Sequence, residues 1–231
     1  MNKELDFVKG MFDKIAPKYD FLNRLLSLGQ DTVWRKQMVQ AATLEKDCRI
    51  LDVACGTCDV SLEADKQLSK QISITGLDFS YGMLRLGRAK IKNKKNISLL
   101  NADALNLPFR SMHFDAVFIA FGIRNIMNRQ QALHAFYEVL KPGGRLAVLE
   151  LSTPDKGWLK ALYLLYFQKI LPLVGSFFSK DQDAYSYLPE SVLKFPSADA
   201  FSGLMKQAGF KQIKFKQMTL GIVTLFIGTR V

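Results

Sequence analysis

The chain has 231 residues, 48% of them hydrophobic and 23% charged. That is enough apolar material for one sizeable α/β core and too much for a disordered chain. Its formal net charge of +11 favours an anionic partner such as nucleic acid, a membrane surface or a charged cofactor. Cys48, Cys55 and Cys58 are too few and too clustered for a secreted disulfide framework, and the N-terminus carries no apolar signal core, so a cytoplasmic protein is expected.

Residues 1–47 read as helical. Phe7, Met11, Phe12 and Ile15 fall at helical spacing; Pro17 reads as an interruption, Gly29 as a stop and Asp31 as the N-cap of a fresh helix. From residue 48 the pattern changes. Short apolar runs at 49–54, 73–79, 97–103, 114–121 and 143–151 read as strands, with helices after the first run to about residue 69, over 81–91 and over 130–140. Apolar strands alternating with helices predict a mostly parallel sheet covered on both faces. Residues 152–196 form an aromatic and aliphatic insertion, and a helix follows near 198–208. The tail reads as two strands broken at Gly221, a hairpin that places one antiparallel strand at the end of the sheet. The expected fold is a Rossmann-like, doubly wound, seven-stranded α/β sheet in one domain: a helical lid (1–47), a cofactor-binding core (48–151), an apolar cover (152–196) and a C-terminal helix with a hairpin (197–231).

The first strand runs into Asp52-Val-Ala-Cys-Gly56-Thr57. A small-residue turn between strand and helix lets backbone N–H groups approach a ligand closely. Asp78 ends the second strand, where a carboxylate suits both hydroxyls of a ribose; Asp103 ends the third, where it suits an adenine amino group. A helix N-cap is the plain alternative for either acid taken singly. The turn has one glycine where a dinucleotide fingerprint has three, and Asp52 supplies an acid for an amino-acid tail such as that of S-adenosylmethionine, so an adenosyl cofactor without phosphates is preferred. Cys55 and Cys58 admit a thiol-redox reading, which leaves Asp78 and Asp103 without a task. His113 and His134 have no metal-ligand spacing to any cysteine, and no metal is expected.

Beyond these features the chain resembles the ubiquinone/menaquinone biosynthesis C-methyltransferases, within the class I S-adenosylmethionine-dependent methyltransferases. The resemblance rests on Tyr19-Asp20, Asn23 and Trp34-Arg35 near the N-terminus, on LDVACGTCDV, on FGIRNIMNRQQALHAFYEVLKPGGRLAVLELSTP, and on YSYLPESVLKFP with the final TLGIVTLFIG. It implies methylation of a ring carbon on a polyprenylated demethyl-quinol. It places cofactor contacts at Thr57, Asp78, the pair Asp103-Ala104, and Ala120, where the family often has serine. Cys58 stands where the family usually has glycine, so its side chain either demands a permissive backbone angle or narrows the methionine subsite.

Methyl transfer to carbon requires a positioned electrophile and a ring made nucleophilic by losing a hydroxyl proton. The candidates are Arg124 and Asn125, just beyond the fourth strand, to orient a water or hold the phenolate, and Tyr19, from the lid, to donate to the other ring oxygen. Residues 158–178 read either as an amphipathic cover for an isoprenoid tail, with Lys160 and Lys169 towards lipid headgroups, or as a core-packing helix. Ten of the Lys/Arg residues and four of the Asp/Glu lie in 156–231, so transient contact with a membrane surface is expected, peripheral at its inner face. The basic stretch at 85–95 keeps RNA or another small molecule open as an alternative methyl acceptor, although no nucleic acid partner is expected. A non-methyltransferase alternative is a thiol-redox or adenosine-cofactor-binding protein. The compact chain favours demethylmenaquinol as substrate, and a homodimer is left open.

Overall fold

The computed structural model describes residues 3–45, 47–68, 72–154, 157–165 and 182–231. Strands β1 (Cys48–Val53), β2 (Ile72–Asp78), β3 (Ile97–Asn101), β4 (Phe114–Ala120), β5 (Leu140–Leu151), β6 (Lys211–Met218) and β7 (Val223–Thr229) form one sheet in the order β3-β2-β1-β4-β5-β7-β6. β1 to β5 are parallel, and β7 runs antiparallel to both of its neighbours. The antiparallel strand is therefore not the edge strand that the hairpin reading expects. It is inserted between β5 and β6, where its apolar Val223, Leu225 and Phe226 are buried, and lysine-rich β6 takes the solvated edge. Charged residues suit an edge because they discourage pairing with another chain.

Alternation along the strands builds a core on each face. Ile50, Phe118 and Leu149 pack into one layer, and Leu51, Ile119 and Val148 into the other. Helices α2 (Gln30–Ala41), α3 (Asp59–Gln67) and α4 (Tyr81–Lys90) cover the first face through Met38, Ala64 and Leu84. Helix α5 (Arg129–Val139) and a helix at Ala198–Gln207 cover the second through Phe136 and Phe201. Between them in sequence lie α6 (Gly157–Leu165) and α7 (Gln182–Leu193), which makes Ala198–Gln207 α8. The expected apolar cover at 158–178 is seen only in its α6 part; 166–178 lie outside the described residues.

The N-terminal segment departs from its sequence reading at two points. Helix α1 (Lys3–Leu26) passes through Pro17 without a break. Proline removes one helical hydrogen bond, but Val8, Met11 and Ala16 before it and Leu22 after it are buried, and packing of that face outweighs the lost bond. Asp31 is not the N-cap of α2. Gly29, at φ 76, holds that position. Asp31 is buried in the first turn, accepting from Arg24 Nη1 at 3.1 Å and Ser27 Oγ at 3.1 Å and pairing with Arg35 one turn on.

Candidate active site

Strand order reverses between β1 and β4, and in sheets of this kind ligands bind outside the carboxyl ends of the strands at that reversal. There the turn after β1 swings away through Ala54, Gly56 and Cys58, all at positive φ. The Gly56 N–H donates to Asp78 Oδ2 at 2.8 Å, and the Ser80 N–H to Oδ1 at 2.8 Å. Asp78 thus ties the ends of β1 and β2 together. Burial, offset in part by these two N–H bonds and reinforced by Asp13, raises its pKa to about 6. The N-cap of α4 is Ser80, accepting from Met83 N at 3.1 Å, so neither Asp78 nor Asp103 serves as the cap. Asp103 accepts from Leu105 N at 2.9 Å through one oxygen.

A cavity of about 100 Å³ opens at these strand ends, bordered by Tyr19, Gly56, Asp78, Asp103, Ala104, Ala120 and Asn125. Its remaining wall is apolar, with Phe79, Met83 and Leu105 prominent. Nothing but Tyr19 Cε1, at 4.0 Å, approaches the position a Cβ would take on Gly56, so the turn backbone is open to a ligand. A buried acid at one end of an apolar slot suits a ribose and a base. An adenosyl group without phosphates fits these residues.

Two residues expected at the cofactor do not border this space. Asp52 is 1% exposed and lies behind the turn, accepting from Ser61 N at 3.1 Å and Ser61 Oγ at 2.6 Å. Its other oxygen has no partner among the described residues. Burial, only partly offset by Ser61, raises its pKa to about 7. It braces α3 against β1 rather than facing an amino-acid tail, because the β1 pleat turns it inward. Thr57 is also buried, donating to Asp20 Oδ1 at 2.5 Å and accepting from Lys90 Nζ at 2.9 Å. Cys58 resolves the choice its side chain posed: it adopts φ 72 and turns into the core, where a Cβ added to Gly87 would come within 2.5 Å of its sulfur. The hydrogen bond with the adjoining Cys58 thiol, and burial, push Cys55 well above its ordinary pKa. That is the opposite of what a nucleophilic thiol needs, and it removes support for the redox alternative.

A second, larger cavity of about 640 Å³ lies beside the first, sharing Phe12, Tyr19 and Phe121 with it. Its walls are mainly apolar, from Leu22 and Leu26 on α1, Tyr163 on α6 and Leu188 on α7. Arg124 sits here, in a 3₁₀ turn at Ile123–Asn125. It is not the surface ion pair its charge alone would suggest. Arg124 Nη1 meets Glu150 Oε1 at 2.7 Å, the Arg124 N–H donates to Oε2 at 3.1 Å, and both side chains are buried. Burial opposes its charge, but Glu150 outweighs that, with smaller contributions from Tyr19 and Tyr187, and the pKa is raised. Its Nε is buried without a partner among the described residues. Arg124 Nη1 also donates to the carbonyl of Phe121, whose φ of 58 marks a strained end to β4.

Several side chains that shape the site are not marked as site residues by the sequence. Asp13 reaches from α1 to accept from Ser80 Oγ at 2.5 Å and Gly82 N at 3.0 Å. Asp20 meets Lys90 at 2.5 Å, and Lys90 also pairs with Asp59 at 2.7 Å. These contacts hold α1 over the smaller cavity. Lys90, with Lys94 on buried Asp65 at 2.6 Å, is thereby spent on ion pairs, which breaks up the basic stretch that left RNA open. Glu150 was findable: a lone acid in the run LAVLEL demands a buried partner.

The fold is that of Rossmann-like methyltransferases. A S-adenosylmethionine-dependent methyltransferase of Thermotoga maritima has a similar structure, with a TM-score of 0.67 at 20% identity over 96% of this chain and 99% of that one. The sequence pattern of the ubiE/COQ5 methyltransferase family matches residues 1–230, and the chain belongs to that family. It is 46% identical over 226 residues (96% of each chain) to the ubiquinone/menaquinone biosynthesis C-methyltransferase UbiE of Geotalea daltonii. It is 44% identical over 221 residues to the demethylmenaquinone methyltransferase of Thermus thermophilus, covering 95% of this chain and all of that one. The protein is a methyltransferase of this family.

Proposed function

We propose that the protein methylates a ring carbon of a polyprenylated demethyl-quinol, demethylmenaquinol before its benzoquinol counterpart, using S-adenosylmethionine. The observation that carries this reading is the pair of adjoining cavities: an acid-lined crevice at the strand ends shares Phe12, Tyr19 and Phe121 with a large apolar chamber. A small polar donor and a greasy acceptor can meet across such a wall.

Asp78 would accept the ribose hydroxyls, Asp103 and Ala104 would hold the base, and Gly56 and Ala120 would line the path to the sulfur. Thr57 and Asp52 support the turn from behind. S-adenosylmethionine, when bound, supplies a methyl group on a sulfonium, already a strong electrophile. The chain's own work is then to raise the nucleophilicity of the ring. Arg124, which borders the chamber, stabilises by its positive charge the oxyanion left when a ring hydroxyl gives its proton to a water, an effect strengthened where few other waters compete. Glu150 fixes the guanidinium in place and moderates its charge. Asn125, from the crevice, and the Tyr19 phenol, which borders both cavities, supply further donors to the ring oxygens. Helix α1 covers both cavities and excludes water, which strengthens each of these interactions.

The apolar chamber takes the isoprenoid tail. Leu28, 87% exposed, and Leu220, 71% exposed, line it and therefore mark its mouth. With Trp158 and Leu165 also exposed, this rim is proposed to touch a bilayer from which the quinol is drawn. Among the described residues no helix is long and apolar enough to cross a membrane. The test is a methyl-transfer assay with labelled cofactor, offering demethylmenaquinol and a demethyl-benzoquinol in liposomes, with product masses. A mass increase of one methyl on the naphthoquinol is expected. Transfer to neither quinol refutes the reading, and transfer to the benzoquinol alone reverses the preference.

A further inference from the structure

A hydrogen bond links the linings of the two cavities. The Tyr187 phenol, on α7, donates to Asn125 Oδ1 at 3.1 Å. The Tyr187 ring stands edge-on to Phe7 of α1, with centroids 6.2 Å apart and planes at 63°. A single side chain therefore joins α7, the covering helix and the turn after β4.

A carboxamide has an acceptor end and a donor end, and a half-turn exchanges them. With the oxygen of Asn125 held by a donating phenol, its NH2 is the end left for the crevice it borders. An amide free to turn would present its carbonyl to an oxyanion as readily as its N–H groups. It would have to reorganise as charge develops, and preorganised donors avoid that cost.

We propose that Tyr187 is a positioning residue: it locks Asn125 with the amide NH2 turned into the crevice, at the junction where an oxygen of the acceptor ring must come as its carbon meets the cofactor's methyl group, and the Phe7 contact makes that lock complete only when α1 is seated. The inference rests on the quinol methyltransferase reading. It differs from a packing role because it predicts a dependence on Asn125. Tyr187→Phe keeps the ring and its edge contact and removes only the donor.

The test is a double-mutant cycle on methyl transfer with Tyr187→Phe, Asn125→Ala and the double variant, each checked for an unchanged thermal midpoint. Asn125→Ala is expected to lower kcat about a hundredfold, the scale for removing an oxyanion donor. Tyr187→Phe is expected to lower kcat about tenfold, with the quinol KM and the cofactor Kd unchanged, yet by less than about twofold in the Asn125→Ala background. Phe7→Leu should show the same dependence on Asn125. A loss from Tyr187→Phe that is equal in both backgrounds, or no loss in the parent, overturns the inference while leaving the reaction intact. Absence of quinol methylation by the unaltered protein overturns the reaction itself and this inference with it.

Discussion

The buried Arg124–Glu150 pair offers the sharpest test of how this site is held. Glu150 is 0% exposed and Arg124 8%. Glu150 accepts from Arg124 Nη1 at 2.7 Å, from Arg124 N at 3.1 Å and from Leu151 N at 2.8 Å. Glu150→Gln leaves the guanidinium buried without a counter-charge and turns an NH2 group towards existing donors. Removing one partner of a buried pair costs about 3–5 kcal/mol, a large part of a total stability of about 5–15 kcal/mol. With a urea slope of up to about 3 kcal/mol/M, the midpoint should fall by about 1 M or more, followed through the fluorescence of Trp34 and Trp158. Arg124→Met added to Glu150→Gln removes the stranded charge and should recover at least half of the lost midpoint, because replacing a whole buried pair is often neutral. Turnover should not return with it. A midpoint unmoved by Glu150→Gln, or a double variant as unstable as the single one, would refute this electrostatic account.

Other outcomes follow from the same geometry. Asp78→Ala should weaken cofactor binding in calorimetry with little change in quinol KM; because the Asp78 pKa is raised to about 6, affinity in the parent should fall about tenfold between pH 7 and pH 5. Asp52 carries a folded-state pKa of about 7 against about 3.9 unfolded, so the folded state holds the extra proton in that window and stability falls as pH rises through it. Between pH 6 and pH 8 this amounts to about 1.4 kcal/mol, and Asp52→Asn should flatten the profile. Gly87→Ala would place its Cβ 2.5 Å from Cys58 Sγ and 3.3 Å from the Gly56 carbonyl, so a loss of about 1–3 kcal/mol is expected. Adding Cys58→Gly should restore most of it, since glycine frees the space and suits the φ of 72; an equally unstable double variant would count against the clash.

What the amino-acid sequence determined by itself is the periodic and local part of this protein. Runs such as LAVL and AVFIA are apolar at successive positions, so they had to be strands buried on both faces, and the acid at 78 falls at a strand end and that at 103 just beyond one. The family resemblance likewise lies in contiguous motifs. What only the tertiary structure decided is every choice that depends on a distant partner. Pro17 stays helical because the face on either side of it packs against the interior, and Asp31 leaves the cap to Gly29 because Arg24 and Arg35 claim it. The last hairpin inserts β7 between β5 and β6 because its apolar residues are stabilised more by burial than lysine-rich β6 would be. Asp52, Thr57 and Arg124 stand out in the sequence as candidate positions, but which way each one faces does not. A pleat and a turn orient a side chain only once Ser61, Lys90 and Glu150, distant in sequence, arrive to bind it. The excess of positive charge follows the same division: its total is a matter of composition, and its spending on Asp20, Asp59, Asp65 and Glu150 is a matter of the fold.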